Sequence, residues 1–154
     1  MKVYLIQHGE AVSKDIDPDR SLSDPGRADV NAIARFLRGA GVHPRAVWHS
    51  GKTRAQQTAD LITQTLAAGD ALQAVEGINP NDDVRSFAQR LNELSADTLV
   101  VGHLPFMAKL VAQLVVGDQE RAVVSFEPGS AVCLERDAEG VWSLAWMVRP
   151  ALLR

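Results

Sequence analysis

Cys133 is the only cysteine in the chain, so no intrachain disulfide can form and nothing marks an oxidising compartment. The thiol reads as strand packing. Long apolar runs are missing as well: the opening MKVYLIQHGEA has too short an apolar stretch for a signal peptide, and no later stretch is long enough to span a bilayer. The expectation is a cytoplasmic protein with no membrane partner. Net positive charge is also absent. With a formal charge of -3, no global field draws in nucleic acid or acidic lipid, so any phosphate binding must be local. Repeats, low-complexity tracts and linkers are not found, and 154 residues suit one domain, 1–154, with a real core. The histidines lack a His-x-x-x-His or similar ligand spacing, so no metal site is expected. Hydrophobic residues at 46% and charged residues at 23% are ordinary for a globular chain, which sets disorder aside.

Val3 to Ile6 reads as a buried strand that ends in a turn at Gln7-His8-Gly9. Leu22-Ser23-Asp24-Pro25 offers a capping residue and a helix-start proline, followed by Val30, Ile33, Ala34 and Leu37 at helical spacing until Gly39 and Gly41. Ala46 to His49 is a second strand and Thr53 to Leu66 a second helix, with Arg54 in its first turn. Leu72 to Val75 reads as an edge strand, Asp83 to Leu94 as a helix, Thr98 to Val101 as a buried strand and Pro105 to about Val116 as a helix. Ser130 to Glu135 and Val141 to Met147 form a hairpin around Asp137 to Gly140. Alternating strands and helices predict an α/β fold, a three-layer α/β/α sandwich with a mostly parallel central sheet. Ligands gather beyond the carboxyl ends of such strands. Three polar turns, Gln7 to Glu10, His49 to Arg54 and Gly102 to Pro105, are therefore expected to meet in one crevice.

Charge placement within those turns is informative. A cation in the first turn opposes the partial positive charge of a helix N-terminus, so Arg54 is badly placed for stability alone. A bound anion reverses that sign, and a guanidinium fork matches two phosphate oxygens. His103, where another helix begins, can stabilise the same anion when protonated or donate one hydrogen bond when neutral.

Four ordered stretches resemble the histidine phosphatase superfamily, the phosphoglycerate-mutase-like proteins, and in particular its short phosphohistidine phosphatase branch, the SixA-like proteins. They are Gln7-His8-Gly9-Glu10-Ala11, Leu22-Ser23-Asp24-Pro25-Gly26, Ser50-Gly51-Lys52-Thr53-Arg54-Ala55-Gln56-Gln57-Thr58 and Gly102-His103-Leu104-Pro105. The resemblance runs over almost the whole chain. It implies a cofactor-free phosphatase in which His8 is the nucleophile and forms a phosphohistidine intermediate, while Arg54 and His103 hold the nonbridging oxygens. The chemistry suits these residues, because a neutral imidazole with one ring nitrogen held as donor presents the other's lone pair near pH 7. Gly9 is expected to let backbone and phosphate approach the ring. The partner implied is a phosphorylated protein carrying phosphohistidine, a histidine-containing phosphotransfer domain being one candidate, with the enzyme a monomer.

Gln7 departs from the pattern, standing where the family's opening arginine supplies a permanent charge. Two consequences compete: retuned or reduced turnover, or a phosphate- or phosphohistidine-binding protein without turnover. Lys52 is a candidate replacement for the missing charge. Ser50 either donates to phosphate or caps the following helix. His43 reads as inert, His49 as a possible support of the pocket, Glu10 as an orienting group, and Trp142 and Trp146 as sheet packing. Glu76, Asp82 and Asp83 are candidate proton donors, yet Asn79 to Asp83 also reads as a turn and helix cap, and the donor stays unassigned. Only about 45 residues separate Thr58 from His103, enough for a strand and a helix but not for a lid domain. An open site without an assured acid suits a good leaving group, and imidazole, with a pKa of roughly 6.5, leaves far more easily than an alkoxide. Hydrolysis of a small phosphate ester or pyrophosphate is the third reading.

Overall fold

Successive residues of the first strand, β1 (Lys2–Gln7), enter opposite apolar layers: Val3 and Leu5 on one side, Tyr4 and Ile6 on the other. That division holds across the sheet in the computed structural model, which describes all residues 1–154. The chain continues through α1 (Asp24–Gly39), β2 (Ala46–His49), α2 (Thr53–Leu66), β3 (Leu72–Ala74), α3 (Val84–Asn92), β4 (Thr98–Gly102), α4 (Phe106–Val116), β5 (Ala131–Arg136) and β6 (Trp142–Val148). Short 3₁₀ turns at Gly69–Ala71 and Pro150–Leu153 complete it. Helices α1 and α2 bury Val30, Ile33, Leu37, Ala55 and Ile62 against one sheet face, and α3 and α4 bury Phe87, Leu91, Phe106 and Leu110 against the other. This is the three-layer sandwich expected from the alternation. No helix is long and apolar enough to cross a membrane.

Strand order is β3-β2-β4-β1-β5-β6. The first four strands pair in parallel, whereas β5 runs antiparallel to both β1 and β6, so the sheet is mixed with an antiparallel hairpin at one edge. Its central β2-β4-β1 run puts three carboxyl ends side by side, with His49 opposite Val101 and Gln7 opposite Gly102. The three polar turns therefore emerge next to one another.

Local chemistry explains the boundaries. Ser23 caps α1 by accepting from the Gly26 N–H at 3.0 Å, and Asp83 caps α3 by accepting from Arg85 N–H at 2.9 Å. Helix α3 stops at Asn92, short of the expected Leu94, because the Arg136 guanidinium takes the carbonyls of Leu91, Asn92 and Leu94 and satisfies that end of the helix. Trp142 is buried with its indole N–H on Asn92 Oδ1, and Trp146 packs against Tyr4 and Phe36, so both tryptophans serve packing. His43 is exposed.

Candidate active site

His8 follows the last residue of β1, His103 follows β4, and Ser50 to Lys52 link β2 to α2, whose first turn carries Arg54, which brings these residues together as expected. The His8 and His103 rings lie 5.0 Å apart between centroids, tilted by 51°. His8 Nδ1 is 2.7 Å from its neighbour's carbonyl, Gly9 O. A carbonyl only accepts, so Nδ1 carries the proton and Nε2 holds the free lone pair. Burial, opposed in part by the Gly9 contact, and the nearby Arg54 and Arg20 charges push the His8 pKa down to about 4. The ring is therefore neutral and nucleophilic across the physiological range.

His103 is 1% exposed, and burial followed by the charges of His8, Arg54, Lys52 and Arg20 pushes its pKa down to about 3. Its Nε2 lies 2.6 Å from Ser50 Oγ, while its Nδ1 is buried without a partner. A neutral ring has one N–H, and placing it on Nε2 gives that donor an acceptor. Ser50 Oγ also receives the Lys52 backbone N–H at 3.3 Å, so the hydroxyl's own proton is left to point elsewhere. Ser50 does not cap α2: the cap position is Lys52, with no side-chain capping bond. Of the two roles weighed for Ser50, donation to a ligand is the one its hydrogen bonds leave open.

Arg54 is half-buried with its Nε unpartnered, and burial together with the Arg20 charge lowers its pKa. None of the four ion pairs in the molecule includes Arg54, Arg20 or Lys52. Cations grouped without a carboxylate repel one another until an anion arrives. Lys52 is exposed on the turn, close enough for its charge to act on His103. Gln7 is 7% exposed with Oε1 buried and unpartnered. His49 accepts from Gly51 N–H at 3.0 Å and so braces the turn that carries Ser50.

Sequence reasoning missed Arg20. It sits in a left-handed conformation at φ 52°, in a loop tied by Asp17, and its Nε donates to Val12 O at 3.2 Å. Nothing in the local sequence distinguishes it from a solvated loop arginine. Gly9 has a packing reason as well: a Cβ there would come within 2.6 Å of Val30 Cγ2 and 3.2 Å of Gly26 O, so close packing against α1 by itself favours the glycine. Glu10 orients a neighbour, as expected: its carboxylate accepts from Ser23 Oγ at 3.1 Å.

Asp82 accepts from Asn79 N–H, and Asp83 caps α3, the structural alternative weighed for both. Along with exposed Glu76 they line the largest cleft of the molecule, about 570 Å³, which has none of His8, Arg54 or His103 in its wall. Between α2 and β4 the chain holds only a 3₁₀ turn, β3 and α3, with no inserted domain.

A neutral imidazole with a free lone pair thus lies among cations that lack counter-charges at the carboxyl ends of parallel strands, an arrangement chemically suited to an anion beside a nitrogen nucleophile. Residues 3–79 match the model of the histidine phosphatase superfamily (branch 1), and the chain belongs to that family. Along its whole length it is 28% identical to the phosphohistidine phosphatase SixA of Escherichia coli, covering 97% of that protein. A solved structure of the protein histidine phosphatase SixA complexed with tungstate superposes with a TM-score of 0.90, at 26% identity and complete coverage of both chains. A phosphoserine phosphatase mutant from Entamoeba histolytica, at 17% identity, TM-score 0.73 and 99% coverage of both chains, shares the fold.

Proposed function

We propose that the protein is a phosphohistidine phosphatase that works through His8. The carrying observation is the His8 Nδ1 bond to Gly9 O, which frees Nε2 for attack on phosphorus. In the first step the Nε2–P bond forms and the bond from phosphorus to the substrate's imidazole nitrogen breaks; the substrate ring, protonated on its other nitrogen, takes the electron pair and leaves as neutral imidazole. Water then attacks the phosphohistidine at His8, and inorganic phosphate departs. Arg54, Ser50 and Lys52 hold the phosphoryl oxygens: the His103 Nε2–H on Ser50 Oγ leaves the serine's own proton for the phosphoryl group, and Arg54 and Lys52 supply fixed positive charge as negative charge shifts. Full-length likeness to phosphohistidine phosphatases supports this substrate class. So does a site with no inserted domain above it, which suits a phosphoryl group presented on a protein surface.

Purified protein assayed on a phosphohistidine peptide and on an aryl phosphate tests the reading. The peptide should be dephosphorylated with the higher kcat/KM, and chelator should leave both rates unchanged. Preference for the ester, or release of phosphate from neither, would sink the substrate assignment.

Gln7 supplies a further prediction. Gln7→Arg should tighten binding of phosphate or vanadate by roughly tenfold or more, since a charge-assisted hydrogen bond contributes on the order of 1.5 to 3 kcal/mol. Titration calorimetry reads this directly. Equal or weaker binding by the folded variant means that position 7 does not face the phosphate, or that Lys52 or Arg20 already fills the role.

A further inference from the structure

Thr58 is wholly buried in α2, 49 residues from Gly9 in sequence, and its hydroxyl joins the two halves of the site. Its Oγ1 donates to the Arg54 carbonyl at 2.7 Å and accepts from the Gly9 N–H at 3.0 Å. A hydroxyl has one proton, and with that proton on Arg54 O the oxygen's lone pairs are what Gly9 meets. Gly9 is also the residue whose carbonyl holds His8 Nδ1. The chain of contacts thus runs from the helix turn bearing Arg54, through Thr58, to the residue that selects the His8 tautomer.

Helix preference does not account for a threonine here. Its branched side chain is a middling helix former, and a hydroxyl bonded back to the fourth residue before it slightly weakens a helix. Solvation does not account for it either, because the side chain is buried. What the position requires is an acceptor for the Gly9 N–H. Van der Waals contact pins Gly9 from its other side, where Val30, Gly26 and Leu22 leave no room for a Cβ.

We propose that Thr58 is a positioning residue: it orients Gly9 so that its carbonyl holds His8 in the Nδ1–H tautomer, and registers that ring against Arg54. The proposal rests on the phosphatase reading, and its test separates the two. Thr58→Val keeps the shape and removes the acceptor, whereas Thr58→Ser keeps the hydroxyl. With phosphohistidine peptide, Thr58→Val should lower kcat by about 10- to 100-fold with KM nearly unchanged, the range expected from a small misplacement of reacting groups, and Thr58→Ser should recover most of it. Nitrogen NMR of the His8 ring at neutral pH should show the Nδ1–H form in wild type and Thr58→Ser, and a mixture of tautomers in Thr58→Val. This readout needs no turnover, so an inactive wild type would sink the phosphatase reading and leave the positioning result standing.

A folded Thr58→Val protein with the wild-type tautomer and kcat would overturn the proposal. Should the valine variant fail to fold, hydrogen exchange of the wild-type Gly9 amide decides: strong protection is expected, and exchange at the rate of an exposed amide would equally overturn it.

Discussion

In the His8→Ala protein, phosphate release should fall by about 10⁴-fold or more, as when a covalent nucleophile is removed from other enzymes, and no phosphoryl group should be trapped on the protein. The fold should survive. His8 is a half-buried turn residue outside both apolar clusters, and its side chain makes a single hydrogen bond, to the carbonyl next to it, so its loss costs little of the fold. Rapid-quench detection of the acid-labile phosphoenzyme, together with circular dichroism, checks both halves. Turnover by the folded variant at the wild-type rate would remove His8 from the mechanism. The same geometry sets the pH dependence. Protonation blocks the Nε2 lone pair, so activity is retained above the His8 pKa and lost as pH falls through it, and that pKa is pushed down to about 4. The rate of phosphoenzyme formation, corrected for a substrate phosphate that itself titrates near about 6, should stay level down to about pH 5. An acid limb near the ordinary imidazole value would mean that the ring is more hydrated than its surroundings here imply.

What the sequence disclosed and what it withheld follow a physical line. Val3 to Ile6, the Ser23 cap and the helix from Thr53 to Leu66 were legible because side-chain patterning and capping are local. Arg54 was legible because a cation at a helix start is an electrostatic anomaly wherever the helix lies. Arg20 was not, because its placement depends on a loop held by backbone bonds to Asp17 and on a left-handed residue that is not glycine. Thr58 stood in view within a matched motif, but the bond that gives it a role spans 49 residues and ends on a backbone N–H, which leaves no trace in side-chain periodicity. The Gly129 N–H, 3.1 Å from the carbonyls of both Gln7 and His8, braces the same turn and was equally hidden. Gly9 shows a further limit: the sequence marked the residue, but its close packing against α1 is a tertiary contact that the sequence does not display. Ser50 resolved for a similar cause, since a serine before a helix reads as a cap until its actual partner, His103, is seen.

Arg54→Ala should lower kcat/KM by about 10²- to 10³-fold, the usual consequence of removing one donor to a developing oxyanion. Lysine should restore little, because its single ammonium cannot present two donors in the plane of two phosphate oxygens. Stability should move the other way. Arg54 stands in the first turn of α2 with no carboxylate partner and an unpartnered Nε, near a second cation in Arg20. Losing it removes its repulsion with Arg20 and an unfavourable contact with the helix N-terminus, the latter a contribution of about 0.3 to 1 kcal/mol. Part of that gain is offset by lost packing of the arginine stem. In the absence of phosphate, the variant should therefore melt at or slightly above the wild-type temperature. Phosphate separates the two proteins. At 100 times its dissociation constant a ligand stabilises the protein that binds it by about 2.7 kcal/mol, and this rise should appear in wild type and largely vanish in Arg54→Ala at the same phosphate concentration. Melting curves with and without phosphate, set beside kcat/KM, test the assignment from two sides. A variant that keeps the full phosphate-dependent rise would place the anion away from α2, and the cations grouped around His8 would then need another explanation.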